Sequence, residues 1–390
     1  MTRELLVAGG GIAGLAAAVG ARQAGWETRV LEQAPTLSEV GAGLQLGPNA
    51  TRLLRGWGVL DDPLLRPFAP SRLRVRDAST GRELGQLPLA TAEARYGAPY
   101  LTVHRADLQA ALLRAAMAAG ARVETGQRLE TVQVEGDQVR ARTAQGRELA
   151  ADAIAVADGV WSGLRRQLLG GGEAPFTGHV AFRALLPMQD VPAALRADDV
   201  QAWLGTDMHL VRYPVRGGEA LNVVAFVEGT AGGQDWDQVA APGRLQAAAG
   251  VLCAELRSLL DAVPAWRLWP VHDRAPLTGP DGMARGRAAL LGDAAHPMLP
   301  FLGQGAGMAL EDASALQRVL ADCGEAASDV PAALQRYARE RWERCARVQA
   351  RARRNGVIFH ARGLLRVGRD VAMRVGGASV LDVPWLYQGP

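Results

Sequence analysis

The sequence predicts an α/β (α+β) fold, in which a parallel sheet covered by helices is interrupted by an inserted antiparallel sheet and followed by C-terminal helices. Three observations predict it. An apolar segment, a glycine run and a helical pattern follow one another in residues 5–24. Strand patterns dominate residues 176–271, and a second apolar segment with a glycine-rich loop occupies residues 288–312. The chain has 390 residues, enough for two domains or more.

The first of these segments has the order of a dinucleotide-binding βαβ unit. The sequence LLVAGGGIAG, residues 5–14, predicts a buried strand followed by a tight loop, and Leu15 to Ala24 has the pattern of a helix. Gly9 permits the tight turn, Gly11 lets a pyrophosphate touch the backbone at the helix N-terminus, and Gly14 allows close packing of helix on strand.

The next predicted strand ends in an acidic residue. This strand covers Thr28 to Leu31, and Glu32 follows it at the separation that the motif requires. A carboxylate there favours two free ribose hydroxyls over a 2′-phosphate, so the bound adenosine belongs to FAD or NAD and not to NADP. The sequence therefore predicts a Rossmann-like domain at the N-terminus.

The second motif lies near the other end of the chain. A strand predicted over Ala288 to Leu291 leads to Asp293, which can accept hydrogen bonds from sugar-like hydroxyls at the carboxyl end of the strand. Gly303, Gly305 and Gly307 let backbone N–H groups approach a flat or anionic ligand. Because the two motifs are far apart in sequence, the site must be assembled across the fold.

The intervening residues fill in both parts of the fold. Before the insert, the pattern predicts a glycine-rich loop at 41–48, a helix at 50–55 capped by Asn49, a hairpin at 73–89, a helix at 106–119 and paired strands at 122–156 that close on Asp158-Gly159. In the insert, it predicts strands at 180–186, 200–204, 209–215 and 221–227 and a helix at 243–262. Such a sheet, buried on one face, is a reasonable wall for a substrate pocket.

The nucleotide-binding domain is therefore expected to be discontinuous. Its predicted segments are residues 1-72, 99-175 and 272-325. The predicted substrate domain comprises residues 73-98 and 176-271, and a C-terminal helical region covers residues 326-390.

Composition excludes several kinds of chemistry. All 43 basic residues are arginine, so no Schiff-base, Walker or general-base lysine is available. A net charge of +3 is too small to indicate nucleic acid binding, and the arginine-rich segment from Arg336 to Arg369 is expected to form solvated helix faces and salt bridges. Cys253, Cys323 and Cys345 fit no metal site. No signal peptide or membrane span is expected, which favours a cytoplasmic protein.

These motifs together resemble the single-component FAD-dependent aromatic hydroxylases, which share the p-hydroxybenzoate hydroxylase fold. The resemblance covers essentially the whole chain and is closer to the salicylate and 3-hydroxybenzoate 6-hydroxylase branch. The segments that carry this closer resemblance are GAGLQLGPNA at 41–50, HRADL at 104–108, HDRAPL at 272–277 and PWLY at 384–387.

The resemblance implies a set of FAD-binding residues along the chain. Those implied are Gly9, Gly11, Ala13, Gly14, Glu32, Gln45, Arg105, Asp158, Asp293, Gly303, Gln304, Gly305, Ala306 and Gly307. Gly9 to Gly14 and Glu32 would hold the adenosine diphosphate half, Asp293 the ribityl or nearby phosphate region, and Gln304 to Gly307 the flavin ring. Asp158 would also meet the nicotinamide cofactor transiently.

The resemblance also implies the reaction. NADH or NADPH reduces the flavin without a second dinucleotide fold, since the chain shows no second glycine fingerprint. Dioxygen then forms a flavin hydroperoxide that hydroxylates an electron-rich aromatic substrate, a phenolic or hydroxylated heteroaromatic acid. The protein excludes water and positions the ring. The expected state is a monomer or a homodimer.

The residues expected to contact the substrate lie mainly on the inserted sheet. His209 and Tyr213 share one face of a strand by the two-residue period, so His209 is a candidate base and Tyr213 a candidate for holding a carboxylate or hydroxyl. His209 can equally be structural. Pro300 is expected beside the reactive edge of the flavin, and the remaining candidates for substrate binding are Gln45, Arg183 and Trp203.

Several alternatives stay open. The apolar segment Met298 to Phe301 departs from the polar glutamine of 3-hydroxybenzoate 6-hydroxylases, so salicylate, a hydroxynicotinate or a larger fused aromatic fits as well. A hydroxylase of polycyclic, antibiotic-like or quinone-precursor substrates is the alternative enzyme, and a flavin-binding regulatory protein is the alternative without turnover. A flavin-dependent halogenase is disfavoured because it needs a lysine. No metal site is expected.

Overall fold

The computed structural model describes residues 3–37, 42–206, 208–230, 238–240, 242–326 and 328–389 of the 390-residue chain. Gly41, the first residue of the predicted glycine-rich loop, lies outside these ranges. Within them, no helix combines the length and the apolar character needed to cross a bilayer.

The described residues form strands of mostly four to eight residues. In chain order they are β1 (Glu4–Ala8), β2 (Glu27–Leu31), β3 (Gly43–Leu46), β4 (Arg72–Asp77), β5 (Glu83–Pro88), β6 (Leu101–His104), β7 (Arg122–Glu124), β8 (Leu129–Glu135), β9 (Gln138–Thr143), β10 (Glu148–Ala151), β11 (Ala153–Val156), β12 (Phe176–Pro187), β13 (Val200–Leu204), β14 (Met208–Val215), β15 (Ala220–Glu228), β16 (Gln238–Ala240), β17 (Trp266–His272), β18 (Ala284–Arg285) and β19 (Ala288–Leu290).

The helices range from single turns to one long C-terminal helix. They are α1 (Ile12–Gln23), α2 (Pro48–Gly56), α3 (Ala92–Tyr96), α4 (Arg105–Ala118), α5 (Gly163–Leu169), α6 (Pro242–Ala248), α7 (Ala254–Asp261), α8 (Gly305–Ala321), α9 (Asp329–Phe359), α10 (Gly363–Gly376), α11 (Ala378–Leu381) and α12 (Pro384–Tyr387).

The first sheet has the strand order β18-β19-β11-β1-β2-β7. All of its neighbouring pairs are parallel except β18 with β19. Helix α1 packs against both α4 and α8, and its apolar side chains join those of β1, β11 and β19 in one buried core. The predicted α/β fold class with a Rossmann-like sheet is confirmed.

The second sheet has the strand order β16-β17-β12-β15-β14-β13-β4-β5. Its neighbouring pairs are antiparallel, with one exception: β4 and β13 are parallel. The inserted sheet is thus antiparallel as predicted, apart from this one parallel pair among the described strands. The reason is that β4 and β5 form a hairpin from an earlier segment of the chain, and this hairpin joins the edge of the sheet at β13.

Cross-strand pairing divides the side chains of this sheet between two faces, because residues paired across strands point to the same side. Arg183 and Val211 both pair with Val224, so they share a face with Tyr213, two residues along β14. We call this the inner face. Trp203 pairs with Leu210 on the opposite, outer face, which packs against α6 and α7.

Two local predictions need correction. Helix α2 begins at Pro48 after Gly47, and its N-cap makes no side-chain hydrogen bond, so Asn49 is not the cap. The side chain of Asn49 is instead buried and directed at α8. The helix expected at 243–262 is divided into α6 and α7, which leave residues 249–253 non-helical between them.

Candidate active site

The glycine loop before α1 is shaped as the motif requires. Gly9 has φ of +107°, and a Cβ there would lie 2.4 Å from the carbonyl oxygen of Ala157. A Cβ on Gly14 would lie 1.9 Å from the carbonyl oxygen of Gly9. A Cβ on Gly11 would meet no atom of the described residues within 4 Å, its chain neighbours aside. Helix α1 has no side-chain cap. An uncapped helix N-terminus beside open space is a suitable site for a phosphate.

Glu32 lies against the same loop. Its carboxylate accepts hydrogen bonds from the backbone N–H of Gly10 at 2.6 Å and of Ala34 at 2.7 Å. From the other side, the buried side chain of Gln109 in α4 donates to the carbonyl oxygen of Gly10 at 2.9 Å. The loop is therefore held in place by β2 and α4, with an acidic group beside the helix N-terminus.

The fold brings the second motif to this helix. Gly292 has φ of +57°, and a Cβ there would lie 3.0 Å from the Cβ of Ala13 in α1 and 3.4 Å from that of Ala309 in α8. Asp293, the residue after Gly292, is exposed. The two motifs from opposite ends of the chain thus meet at the start of α1, as the sequence requires of a site assembled across the fold.

The start of α8 offers a second uncapped helix N-terminus. Gln304 is buried and precedes the helix, which has no side-chain cap, and a Cβ on Gly305 would meet nothing within 4 Å. Gly303 has φ of +64°, and a Cβ there would lie 3.7 Å from the side chain of Gln45. Ala306 is half-buried, and a Cβ on Gly307 would lie close to the side-chain amide of Gln304. The turn at Gly303, just before α8, therefore lies beside Gln45.

A buried network of ion pairs joins α8 to α9. Arg341 of α9 donates to Glu311 at 2.7 Å and to Asp312 at 2.8 Å, and all three side chains are almost fully buried. Arg344 also donates to Glu311, at 2.6 Å. Burial by itself raises the pKa of both carboxyl groups, but the neighbouring cations outweigh it and hold both pKa values below their usual range.

His296 belongs to the same network. Its Nε2 lies 2.6 Å from a carboxylate oxygen of Asp312, which also accepts the backbone N–H of Gly292. Burial opposes the charged form of His296, but Cys345 and Asp312 raise its pKa well above the usual value. The network thus connects the Gly292 turn to α8 and α9. Sequence analysis did not anticipate it, because its members come from segments that only the fold brings together.

Asp158 lies at the turn between β11 and α5. Burial raises its pKa, and its Oδ1 is buried without a hydrogen-bond partner among the described residues. Ser162, rather than Asp158, caps α5 by accepting the backbone N–H of Arg165 at 2.9 Å. Arg105, by contrast, begins α4, and its backbone N–H donates to the carbonyl oxygen of Ala42 at 2.8 Å.

Gln45 of β3 and Tyr213 of β14 meet where β3 packs against the second sheet. The hydroxyl of Tyr213 on the inner face hydrogen-bonds to Gln45, whose Oε1 also accepts the hydroxyl of Tyr100 at 2.7 Å. A Cβ on Gly43 would lie 2.6 Å from the Tyr213 ring, and the Gly43 N–H donates to Asn222 at 2.7 Å. Strand β3 therefore packs directly on the inner face, next to Gly303. Tyr100 was not anticipated from the sequence.

His209 lies deeper on the inner face, in an aromatic cluster. Its Nδ1 is 2.8 Å from Nε2 of His360, and its ring stacks on Phe226 at 4.8 Å and meets the ring of Phe301 at 4.7 Å. The side chain is buried, and burial lowers its pKa well below the usual value. Pro300, immediately before Phe301, is half-buried at the same turn. His209 is thus enclosed by rings.

The two remaining substrate candidates lie on opposite faces. The guanidinium of Arg183 lies on the inner face, 4.0 Å from the ring centre of Trp269. Trp203 is fully buried on the outer face, with the guanidinium of Arg76 4.0 Å from its ring centre. The structure does not bring Trp203 to the inner face. The reason is the phase of the pleat: Trp203 pairs with Leu210, one residue out of step with His209 and Val211.

A family model described as an FAD binding domain matches residues 2–352. The chain belongs to this FAD-binding family. The match spans both glycine motifs and the inserted sheet between them, and it ends within α9, before His360.

Curated relatives and solved structures agree with this family. The chain is 36% identical to the 3-hydroxybenzoate 6-hydroxylase of Polaromonas naphthalenivorans (strain CJ2), over 94% of the chain and 90% of that protein. It is 37% identical to the 6-hydroxynicotinate 3-monooxygenase of Bordetella bronchiseptica, over 89% of each. A salicylate hydroxylase solved as a substrate complex superposes with a TM-score of 0.83 at 26% identity, covering 100% of the chain and 96% of that structure.

The protein is therefore an FAD-dependent flavoprotein monooxygenase of the aromatic hydroxylase group, in the salicylate and 3-hydroxybenzoate branch. Its own geometry fits that cofactor. Gly11 and Gly305 leave open space at two uncapped helix N-termini, and Asp293 is exposed beside them. These features suit the pyrophosphate, the flavin ring and the sugar-like chain that joins them.

Proposed function

We propose that the enzyme hydroxylates a hydroxylated aromatic acid, phenolic or heteroaromatic, with NADH or NADPH as reductant and dioxygen as oxidant. One observation carries this proposal: the side chains of Gln45, Tyr213 and Tyr100 are joined by hydrogen bonds beside Gly303. Arg183 lies on the same face of the second sheet as Tyr213. Neutral hydrogen-bonding groups and one cation, set among apolar side chains, match a small aromatic ring that bears a hydroxyl and a carboxylate.

The cofactor residues divide into two groups in this proposal. Gly9, Gly11, Ala13 and Gly14 hold the diphosphate at the start of α1, while Glu32 holds the ribose of the adenosine. In the other group, Asp293 bonds the ribityl chain, Arg105 approaches from the start of α4, and the flavin ring lies against the backbone of Gly303, Gln304, Gly305, Ala306 and Gly307. The partial positive charge of the α8 N-terminus stabilises negative charge on the ring, by ~0.3–1 kcal/mol at an exposed helix end.

FAD supplies the oxygen-transfer chemistry, and the protein's side chains bind and orient the substrate. Burial raises the pKa of Tyr213, so its hydroxyl stays protonated and acts as a hydrogen-bond donor. Gln45 accepts from Tyr100 through Oε1 and also hydrogen-bonds to Tyr213, and its amide nitrogen carries a second N–H that can donate to a substrate. We assign these two side chains to the substrate hydroxyl or carboxylate, and Pro300 to the turn that borders the ring.

His209 has a different assignment. Its bond to His360 and its enclosure by phenylalanine rings favour a structural role behind Phe301 over that of a base. Its lowered pKa keeps the imidazole neutral at neutral pH. On this proposal, His209 keeps Phe301 in position against the pocket.

The reductant is assigned to the surface beside the Asp158 turn. Trp161 is 44% exposed, and the centre of its ring lies 4.3 Å from that of His272. Arg165 lies nearby, and its pKa is lowered by burial and by the positive charge of Arg274. Two neighbouring guanidinium groups beside an exposed aromatic ring suit a nicotinamide dinucleotide, which has a diphosphate and flat rings.

The test of the proposed function is a substrate panel. The purified yellow protein is supplied with NADH or NADPH under air and with hydroxybenzoates, hydroxynicotinates and fused-ring phenols, and the hydroxylated product is compared with the NAD(P)H consumed. We expect a single-ring acid to accelerate oxidation and to be hydroxylated. Selective turnover of a fused-ring substrate would support the alternative substrate class. A yellow protein that no aromatic compound stimulates would contradict the proposal.

Replacing Asp293 by alanine should weaken FAD retention. The exposed carboxylate of Asp293 has no partner among the described residues, so the expected effect is the loss of one charge-assisted hydrogen bond to FAD. That loss is about 1.5–3 kcal/mol, or a roughly 10- to 100-fold higher dissociation constant for FAD. Fluorescence titration of the deflavinated protein measures it. Asp281→Ala, at another exposed aspartate, is the matched control. Equal FAD affinities for both variants would remove the assignment of Asp293.

A further inference from the structure

The last residues of the chain return to the candidate active site. We call Asp382–Gly389 the C-terminal tail. At its start, the carboxylate of Asp382 accepts the hydroxyl of Tyr96 at 2.7 Å and also pairs with Arg95. At its end, Arg52 of α2 donates to the carbonyl oxygen of Gln388 at 2.8 Å. The tail is therefore fastened at its start to α3 and at its end to α2, the helix that follows the glycine-rich loop.

One arginine joins the middle of the tail to α8. Arg344 donates to the carbonyl oxygens of Trp385 and Leu386, at 2.9 and 2.8 Å, and holds both carboxylate oxygens of Glu311. Glu311 in turn accepts from Asn49 at 2.8 Å, and Asn49 donates to Gln304 at 3.2 Å. A continuous set of hydrogen bonds thus runs from the tail carbonyls to the residue that precedes the open N-terminus of α8.

Tyr387 makes a second connection to the same turn. Its ring lies 6.2 Å from that of Tyr100 in an edge-on arrangement, and a Cβ on Gly47 would lie 2.9 Å from it. Tyr100 donates to Gln45, which lies against Gly303. The tail therefore supports both Gly303 and Gln304 by independent contacts.

We propose that the C-terminal tail forms the wall of the substrate pocket behind Tyr100 and that Tyr387 is a positioning and specificity-determining residue. It acts through Tyr100 by fixing the hydroxyl that orients Gln45, and it limits the space behind that hydroxyl. This inference rests on the proposed function, because it gives Gln45 and Tyr213 the role of binding the aromatic acid.

The test compares Tyr387→Ala, Tyr387→Phe and Gln388→Ala in the full-length FAD-loaded enzyme. Tyr387→Ala leaves a void behind Tyr100. We therefore expect KM for a single-ring acid to rise on the order of tenfold, and a smaller share of the NAD(P)H consumed to appear as hydroxylated product. Activity on fused-ring phenols should rise relative to single-ring acids. FAD content should stay unchanged, because Arg344, Glu311 and Asn49 still hold Gln304 without the Tyr387 side chain. Tyr387→Phe keeps the ring, so KM and the share of NAD(P)H that yields product (the coupling) should be as in wild type.

Gln388→Ala is the matched control, because it changes an exposed side chain of the tail and retains the carbonyl that Arg52 holds. Arg344→Lys is an independent variant: one ammonium group does not reach two carbonyls and both oxygens of Glu311, so we expect the same loss of coupling as for Tyr387→Ala. Unchanged KM, coupling and ring-size preference in Tyr387→Ala would overturn the inference.

A readout without turnover separates this inference from the proposed function. Aromatic acids are titrated into each oxidised variant, and the change in flavin absorbance gives a dissociation constant. A rise of about tenfold in Tyr387→Ala but not in Gln388→Ala supports the tail as a pocket wall, even where no hydroxylated product forms. Equal dissociation constants in the two variants count against it. Wild-type enzyme that binds an acid but never hydroxylates it contradicts only the proposed function.

Discussion

Gly11→Ala should leave the protein folded and prevent it from retaining FAD. Gly11 has φ of −75° and ψ of −176°, values that alanine adopts without strain. Its new Cβ would meet no atom within 4 Å in the part of the chain that the structure describes, apart from its chain neighbours. The methyl group would instead occupy the space in which a pyrophosphate approaches the backbone. We expect the FAD dissociation constant to rise by at least about 100-fold, or ~2.7 kcal/mol.

Two measurements separate binding from folding. Thermal unfolding of the deflavinated protein should be the same for Gly11→Ala and wild type, whereas the stabilisation that added FAD gives to wild type should disappear. Gly56→Ala, at the exposed end of α2 and equally free of contacts, is the matched control and should retain FAD. Gly14→Ala, whose Cβ would lie 1.9 Å from a carbonyl oxygen, should destabilise the apoprotein as well. A yellow Gly11→Ala protein of normal affinity would refute the assigned position of the diphosphate.

The features that the sequence predicts well are those with a local cause. The backbone at Gly9 demands a positive φ, and the crowding at Gly14 admits no side chain, so a glycine pattern alone locates the loop. The period of two on β14 correctly places Val211 and Tyr213 on one face. Glu32 is found because it follows a strand directly. In each case a few neighbouring residues carry the whole signal.

The features that escape sequence analysis depend on partners far along the chain. The face of Trp203 follows from its register with Leu210, and that register is set by the sheet and not by the strand itself. The partner of His209 is His360, 151 residues away. Tyr100 joins the site only because β6 pairs with β3. No local pattern contains this information.

Arg341→Met should produce the largest loss of stability among the arginine variants. Arg341 is fully buried and donates to Glu311 and Asp312, so its removal leaves two buried carboxylates with fewer cations to compensate them. Breaking a buried pair from one side costs about 3–5 kcal/mol. We expect that decrease in the free energy of unfolding, measured by urea denaturation of the deflavinated protein, and weaker FAD binding, because α8 loses its attachment to α9.

The matched control lies between the same two helices. Arg318 of α8 and Glu340 of α9 form an ion pair at 3.1 Å whose side chains are 49% and 46% exposed. Solvent screens this pair, so Arg318→Met should cost less than about 1 kcal/mol. Equal losses in the two variants would show that burial does not govern the energetics of this helix pair.

The pH dependence gives an independent check on the same network. The pKa values of Glu311 and Asp312 are lowered in the folded protein, so the stability that they contribute is present above their unfolded values and is lost as pH falls through the folded ones. In Arg341→Met, burial is opposed by fewer cations and both pKa values move upward. Glu311 and Asp312 are then protonated at a higher pH in the folded variant than in wild type, and their protonation removes the cost of the poorly compensated buried charges. The stability difference should therefore be largest at neutral pH and shrink as the pH falls towards the ordinary carboxyl values of 4.5 and 3.8.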